Sequence, residues 1–154
     1  RADIIVKDLR ERWATMASVR LNNTIQEDWQ AAPDSGAQWS HCAVVPLYIA
    51  FSGLAGIRPL EPGYRRVEIR PQVADLEELE LEAFTVRGPV HFLSRGKRGG
   101  RELTVELPNG CEGELVLSEK ETIGLTPLAR QAPTGPRRYV LQPGKEVTLK
   151  LEFT

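Results

Sequence analysis

The stretch that decides the fold is ELTVEL at residues 102–107, in which apolar side chains alternate with polar ones. Because successive side chains of a strand point to opposite faces, this period of two predicts a strand with one face in a core and the other in water. The same alternation runs through residues 67–70 and 79–83. Further strands are predicted at residues 90–94, 114–117, 139–141 and 146–153.

Turn signals separate these strands, among them Gly-Pro at 88–89 and Asn-Gly at 109–110. About seven short strands with turns between them predict two packed antiparallel sheets, a jelly-roll-like β-sandwich over residues 63–154. The long gap at 118–138, with its prolines and glycine, is predicted to be a surface loop. The expected core consists of Val67, Ile69, Leu81, Leu103, Val105, Leu107, Leu115, Leu117, Val147, Leu149 and Leu151.

Residues 1–62 have a different periodicity. Apolar residues recur at three- and four-residue spacings from 3 to about 19, which predicts a one-sided helix, and the polar stretch 22–40 reads as a loop. Residues 41–55 are apolar almost all round and predict a helix buried between other elements, in which Pro46 marks a kink or a later start. Gly56 suits the left-handed position just past its end.

The helix predicted at 41–55 raises a question of burial, because one other helix and a polar loop cannot cover it. The sandwich, a second chain or a missing N-terminal domain could do so, and we favour the missing domain. In its absence an exposed apolar patch is expected, which predicts instability or homo-oligomerisation through this helix.

Composition excludes several classes of partner. With 20 basic and 21 acidic residues the formal charge is −1, which does not favour nucleic acid. The longest apolar stretch, 42–57, is too short and too interrupted to span a membrane. Cys42 and Cys111 belong to no metal-ligand spacing, so free thiols, no metal site and no cofactor are expected. Localisation cannot be read from these residues.

Candidate chemistry lies in TIQEDW at residues 24–29, where Glu27 and Asp28 precede Trp29 in a polar loop. Carboxylates beside aromatic rings can hold a sugar, because the aromatic ring stacks on the apolar face of the sugar while the carboxylates bind the sugar hydroxyls. The residues alone leave two alternatives open. The acids can be merely solvated, and Trp29 and Trp39 can be core residues. His41 can equally be structural.

Trp13 and three runs together resemble a known family: NTIQEDW at 23–29, WSHCA at 39–43 with Pro46, and above all LAGIRPLEPGYRRVEIRP at 54–71. They are similar to the closing part of bacterial α-L-rhamnosidases of glycoside hydrolase family 78. The resemblance implies that residues 1–62 are the terminal helical segment of an (α/α)6 catalytic barrel, and that 63–154 are the C-terminal β-sandwich. It therefore implies an upstream catalytic domain as partner and a rhamnoside as substrate.

The resemblance also implies roles for particular residues. Glu27 matches the family's general base in an inverting hydrolysis of terminal α-L-rhamnose, and His41 matches a histidine that contacts the sugar, with Trp29 and Trp39 as further substrate-binding residues. Gln26 departs from the tryptophan usual at its position. The general acid lies far upstream in the family, so this chain alone is expected to be inactive. The alternative is a non-catalytic β-sandwich module with a structural or carbohydrate-binding role.

Overall fold

The computed structural model describes residues 1–30, 32, 43–124 and 137–153, and its larger part is a sandwich of two sheets. The first sheet has the order β1-β2-β6-β8, formed by Ile57–Pro59, Arg66–Ile69, Glu112–Val116 and Arg138–Leu141. The second has the order β3-β4-β5-β9-β7, formed by Glu78–Thr85, Gly88–Arg95, Gly100–Glu106, Glu146–Phe153 and Glu121–Ile123. The predicted β-sandwich is confirmed.

One core lies between the sheets, and the alternating residues of both sheets fill it. Val67 and Leu115 from the first sheet are fully buried in the same cluster as Leu103 from the second. Of the predicted core residues, Leu81 and Val147 are half-buried against this cluster and the others are buried within it. Each strand therefore turns its apolar face to the other sheet, as the period of two predicts.

The expectation that both sheets are wholly antiparallel is wrong at one place. Strand β2 pairs with β6 in parallel, with Val67 opposite Gly113 and Ile69 opposite Leu115. The chain between them passes through β3, β4 and β5 of the other sheet, so β6 returns to the first sheet in the direction of β2. Parallel pairing requires such a long crossover.

Two strands lie where none was predicted. Strand β7 falls inside the stretch 118–138 that was expected to be a loop, and it pairs with the outer edge of β9. Strand β1 pairs with β2 and lies before residue 63, where the sandwich domain was predicted to begin. Both are three residues long, too short for an alternating pattern to show.

The single N-terminal helix predicted from residue 3 to about 19 is wrong, since the structure divides it. Helix α1 spans Ala2–Glu11, a 3₁₀ turn spans Trp13–Thr15, and α2 spans Ala17–Asn22. The break is at Met16, whose ψ of 137° is not helical. The hydroxyl of Thr15 donates a 2.7 Å hydrogen bond back to the carbonyl of Arg12, which satisfies an acceptor at the end of the turn.

The second helical segment begins later than predicted among the described residues, because residues 43 and 44 are not helical. Residues 41 and 42 of the predicted helix lie outside the described residues. Helix α3 spans Val45–Tyr48 with a proline in its first turn, and a π-helical turn spans Ile49–Leu54. Pro46 thus marks the later start, and Gly56 adopts the predicted left-handed conformation with φ 70°.

Among its described residues this helical segment is buried at its end, at Leu54, and uncovered at its start. The large apolar side chains at its start are open to solvent, with Leu47 57% and Tyr48 71% exposed. Val44 and Val45 are about half exposed as well. This is the apolar patch expected where a covering domain is missing. None of the helices in the described part of the chain has the length and apolar character needed to cross a bilayer.

Candidate functional site

The loop that carries Glu27 begins where α2 ends. Asn23 ends the helix in the left-handed conformation, with φ 53°, and its N–H donates to the carbonyl of Val19 at 3.2 Å. Asparagine tolerates this conformation because its short polar side chain bonds locally. Further along, the Oδ1 of Asp28 accepts a 2.9 Å hydrogen bond from the N–H of Gln30, which forms a tight turn in the loop.

Neighbouring side chains in this loop have opposite environments. Gln26 is 2% exposed, and its Nε2 donates to the carbonyl of Ala32 at 3.4 Å, so its side chain lies inside the loop. Glu27 is exposed, as is Asp28. The loop therefore presents the carboxylate of Glu27 outward, where it can meet a ligand or another domain.

Trp29 closes the loop against the N-terminal helices. Its ring centroid lies 4.6 Å from that of Trp13, with the ring planes at 62° in an edge-to-face arrangement. The guanidinium carbon of Arg12 lies 4.9 Å from the Trp29 centroid, over the ring, in a cation–π contact. Trp29 nevertheless stays 40% exposed. The surface left open can still contact a ligand.

Two of the four predicted site residues cannot be placed. His41 and Trp39 lie outside the described residues, so the structure brings together Glu27 and Trp29 alone among the four. The sequence pattern missed Arg12 and Trp13 as members of this cluster. Trp13 reads as an ordinary apolar residue of a one-sided helix, and the sequence gives no separate signal for its contact with Trp29.

A cleft lies elsewhere among the described residues. It has a volume of about 1030 Å³ between α1 and the second sheet, and both Arg101 and Asp75 line it. Glu27 is not among its lining residues. The hydrogen bond from Arg10 holds the pKa of Asp75 below its ordinary value, and burial lowers the pKa of Arg101. Asp75 is paired with Arg10, and Arg101 donates to the carbonyl of Leu76 and to Ser94, so both groups are bonded within the fold.

Other catalytic chemistry has little support among the described residues. They contain no grouping of three or more His, Cys, Asp or Glu side chains that could hold a metal ion. Cys111 is a buried free thiol, and burial raises its pKa. A buried thiol with a raised pKa is a poor nucleophile because little of it is thiolate.

Comparison with known proteins finds a family model that matches part of the chain. Residues 56–127 match the family model described as bacterial alpha-L-rhamnosidase C-terminal domain. No curated protein matches the chain.

Two solved structures resemble the chain. An alpha-L-rhamnosidase from Dictyoglumus thermophilum aligns with a TM-score of 0.61 and 19% identity over 84% of this chain. One from Streptomyces avermitilis, complexed with L-rhamnose, aligns with a TM-score of 0.56 and 21% identity over 82%. At these identities the likeness shows a shared fold. The alignments cover 16% and 13% of those two proteins, so this chain spans about a sixth or less of their length.

In the structure, short helices and the Glu27 loop come first, followed by the Gly56 junction and the two-sheet sandwich, and the family match begins at Gly56. Residues 56–127, which form most of the described sandwich, are similar to the C-terminal domain of bacterial α-L-rhamnosidases.

Proposed function

We propose that this chain is the C-terminal part of a longer, inverting α-L-rhamnosidase. In this proposal residues 1–62 are the last helical segment of a catalytic barrel and residues 63–154 are the sandwich that follows it. The supporting observation is the order of segments in the chain. Glu27 is exposed on a loop, and the match to the rhamnosidase C-terminal domain follows it at residues 56–127. The exposed apolar side chains of residues 44–48 are then the surface that the rest of the barrel covers.

In this enzyme Glu27 is the general base. It takes a proton from a water molecule as the water oxygen attacks the anomeric carbon of a terminal α-L-rhamnose. The bond from that carbon to the leaving oxygen breaks, and a carboxylic acid from the upstream domain gives its proton to the leaving group. An exposed carboxylate suits this role, because an inverting enzyme needs room for water between its two acids.

The sugar contacts are also part of the proposal. The exposed part of Trp29 offers an aromatic surface beside Glu27, against which the apolar face of a sugar can pack. His41 and Trp39, which follow Trp29 in the sequence, are assigned to the sugar hydroxyls and to a second stacking surface. Histidine can donate or accept a hydrogen bond at either ring nitrogen, which suits a hydroxyl.

The test uses the full-length protein from the same gene and an aryl α-L-rhamnoside. Glu27→Gln should lower kcat by about 10²- to 10⁴-fold, because glutamine keeps the shape but cannot take a proton from water. Asp28→Asn is the matched control. It makes the same change one residue away and retains the oxygen that bonds the N–H of Gln30, so it should leave kcat almost unchanged.

Two further readouts complete the test. Proton NMR during turnover should show the β-anomer of rhamnose first, as inversion requires. His41→Ala should raise KM, and a loss confined to melting temperature would instead indicate a structural histidine. Near-normal kcat in Glu27→Gln would refute the base assignment. A full-length protein that hydrolyses no rhamnoside would favour the non-catalytic module.

A further inference from the structure

We infer that Trp13 is a positioning residue for the Glu27 loop, and that it acts through the ring of Trp29. This inference rests on the proposed function, since it treats Glu27 as the base. Trp13 itself has no contact with Glu27 among the described interactions, and its effect on the base is therefore indirect.

The first step in the argument is the way Trp29 is held. Trp13 meets the Trp29 ring edge-to-face with centroids 4.6 Å apart, and Arg12 lies over the same ring at 4.9 Å. Arg12 is itself restrained, because its Nη1 lies 3.3 Å from the Oδ1 of Asp8 one helical turn earlier. Two neighbouring residues thus contact the same ring.

The second step is the break after α1. Helix α1 ends at Glu11, and residues 13–15 form a 3₁₀ turn. Arg12 and Trp13, which stand where the helix gives way to this turn, both contact the Trp29 ring.

The third step is that Glu27 lies between two anchors. On one side Gln26 is buried and bonded to the carbonyl of Ala32. On the other side Trp29 is held by Arg12 and Trp13. Glu27 itself is exposed, so its own side chain contributes little to fixing its place. The backbone position of the base is therefore set by its neighbours, and Trp13 belongs to one of the two anchors.

This contact is poorly suited to a purely structural role. Trp13 is half-buried and Trp29 is 40% exposed, and neither belongs to the core cluster of the sandwich. Loss of the ring contact should thus affect the loop more than the fold. Catalysis is sensitive to such a change, since a displacement of about 1 Å at a reacting group can cost about 10²-fold in rate.

The experiment compares Trp13→Leu with Trp13→Phe, two variants that both fill the half-buried site with apolar atoms. Phenylalanine keeps an aromatic edge for Trp29 and leucine does not. In the full-length protein Trp13→Leu should lower kcat by about 10- to 100-fold, whereas Trp13→Phe should retain most of it. Leu21→Ala, an exposed change on α2, is the control and should leave kcat unchanged.

A second readout reports on the loop itself. NMR of the 154-residue chain should show that Trp13→Leu moves the resonances of the Trp29 indole N–H and the Glu27 backbone N–H, while amides of the sandwich stay in place. Trp13→Phe should move the Glu27 amide far less. Melting temperatures of the two variants should agree, which separates positioning from stability.

The outcomes are distinguishable. Equal kcat in the leucine and phenylalanine variants, with Glu27→Gln inactive, would overturn the role of Trp13 and leave the proposed function standing. An active Glu27→Gln enzyme would overturn the proposed function and this inference with it. Unchanged Glu27 resonances in Trp13→Leu would also overturn the inference, whatever the kinetics.

Discussion

Arg10 donates hydrogen bonds from Nη1 to both carboxylate oxygens of Asp75, at 3.0 Å to Oδ1 and 2.7 Å to Oδ2. This pair joins α1 to the loop between β2 and β3, so it ties the helical segment to the sandwich. The bond from Arg10 is the main reason that the pKa of Asp75 is lowered.

The Arg10–Asp75 pair predicts a small, acid-sensitive contribution to stability. Because the folded-state pKa is depressed, the contribution is present above the ordinary carboxyl value of about 4 and is lost as pH falls through the folded-state value. Asp75→Asn should therefore lower the urea midpoint slightly at pH 6 and have less effect at pH 3. The pair is exposed, so added salt should shrink the difference at pH 6. An equal effect of Asp28→Asn would contradict this assignment.

Arg101 predicts a larger effect. It is 5% exposed, and its guanidinium donates to the carbonyls of Leu76 at 2.8 Å and Ala74 at 3.3 Å and to the Oγ of Ser94 at 3.0 Å. Lysine cannot reproduce this fork of donors. Arg101→Lys should lower the free energy of unfolding by about 1.5–3 kcal/mol.

Arg98 provides the matched control for Arg101. It is exposed, and its guanidinium carbon lies 4.7 Å from the centroid of the Phe153 ring. Since lysine can also contact an aromatic face, Arg98→Lys should cost less than about 1 kcal/mol in the same urea titration. Equal losses in the two variants would mean that the buried hydrogen bonds of Arg101 contribute little.

Two glycines before β1 should respond to alanine in opposite directions. Gly56 has φ 70°, and an added Cβ would collide with the backbone carbonyl of Arg70, so Gly56→Ala should cost at least about 1–3 kcal/mol. Gly53 lies in the π-helical turn, where a Cβ would meet Ile49 at an ordinary 3.6 Å. Gly53→Ala should be neutral or stabilise by up to about 1 kcal/mol. Thermal unfolding of both variants measures the contrast.

The exposed apolar side chains of α3 predict association of the isolated chain. Replacing Leu47 with Glu and Tyr48 with Lys should reduce association seen by sedimentation velocity, because both side chains are more than half exposed in an apolar patch. Leu21→Glu is the control, since Leu21 is 73% exposed on a different helix and should not matter. A wild-type chain that stays monomeric at high concentration would contradict the prediction.

The purified 154-residue chain should show no measurable hydrolysis of an aryl α-L-rhamnoside. Under the proposed mechanism one carboxylate cannot serve as both acid and base on opposite sides of the bond. Prolonged incubation with the substrate at high protein concentration measures this. Turnover that persists through purification and disappears in Glu27→Gln would show that the chain holds both groups.

The sequence was most informative where side-chain alternation decides the structure. Strands such as β5, around Leu103 and Val105, follow directly from a period of two, because one face must be buried. The parallel pairing of β2 with β6 did not follow, since the partner of a strand is decided by how the whole chain packs. Alternation within a strand carries no information about direction.

The candidate site shows a similar division. Glu27 could be singled out from the run that surrounds it, and its exposure agrees with a loop. The contact of Trp29 with Trp13 and Arg12 could not be predicted from the sequence, because it is made at a helix break across which the apolar periodicity continues. The 3₁₀ turn that follows this break ends with a hydroxyl bond of Thr15 and an extended ψ at Met16, neither of which hydrophobic patterning records.

The strand order of the second sheet determines when the sheet can be completed during synthesis of the chain. Strand β9, at residues 146–153, lies between β5 and β7, and β7 has no other partner among the described strands. Because the ribosome releases the chain from its N-terminus, β7 emerges before its partner β9 and stays unpaired until β9 follows. Until then β5 also has an unpaired edge that other chains can contact. The sandwich can close only after residue 146 and its successors have left the exit tunnel. A premature stop just before them would therefore yield an open sheet prone to aggregation, and not a smaller stable domain.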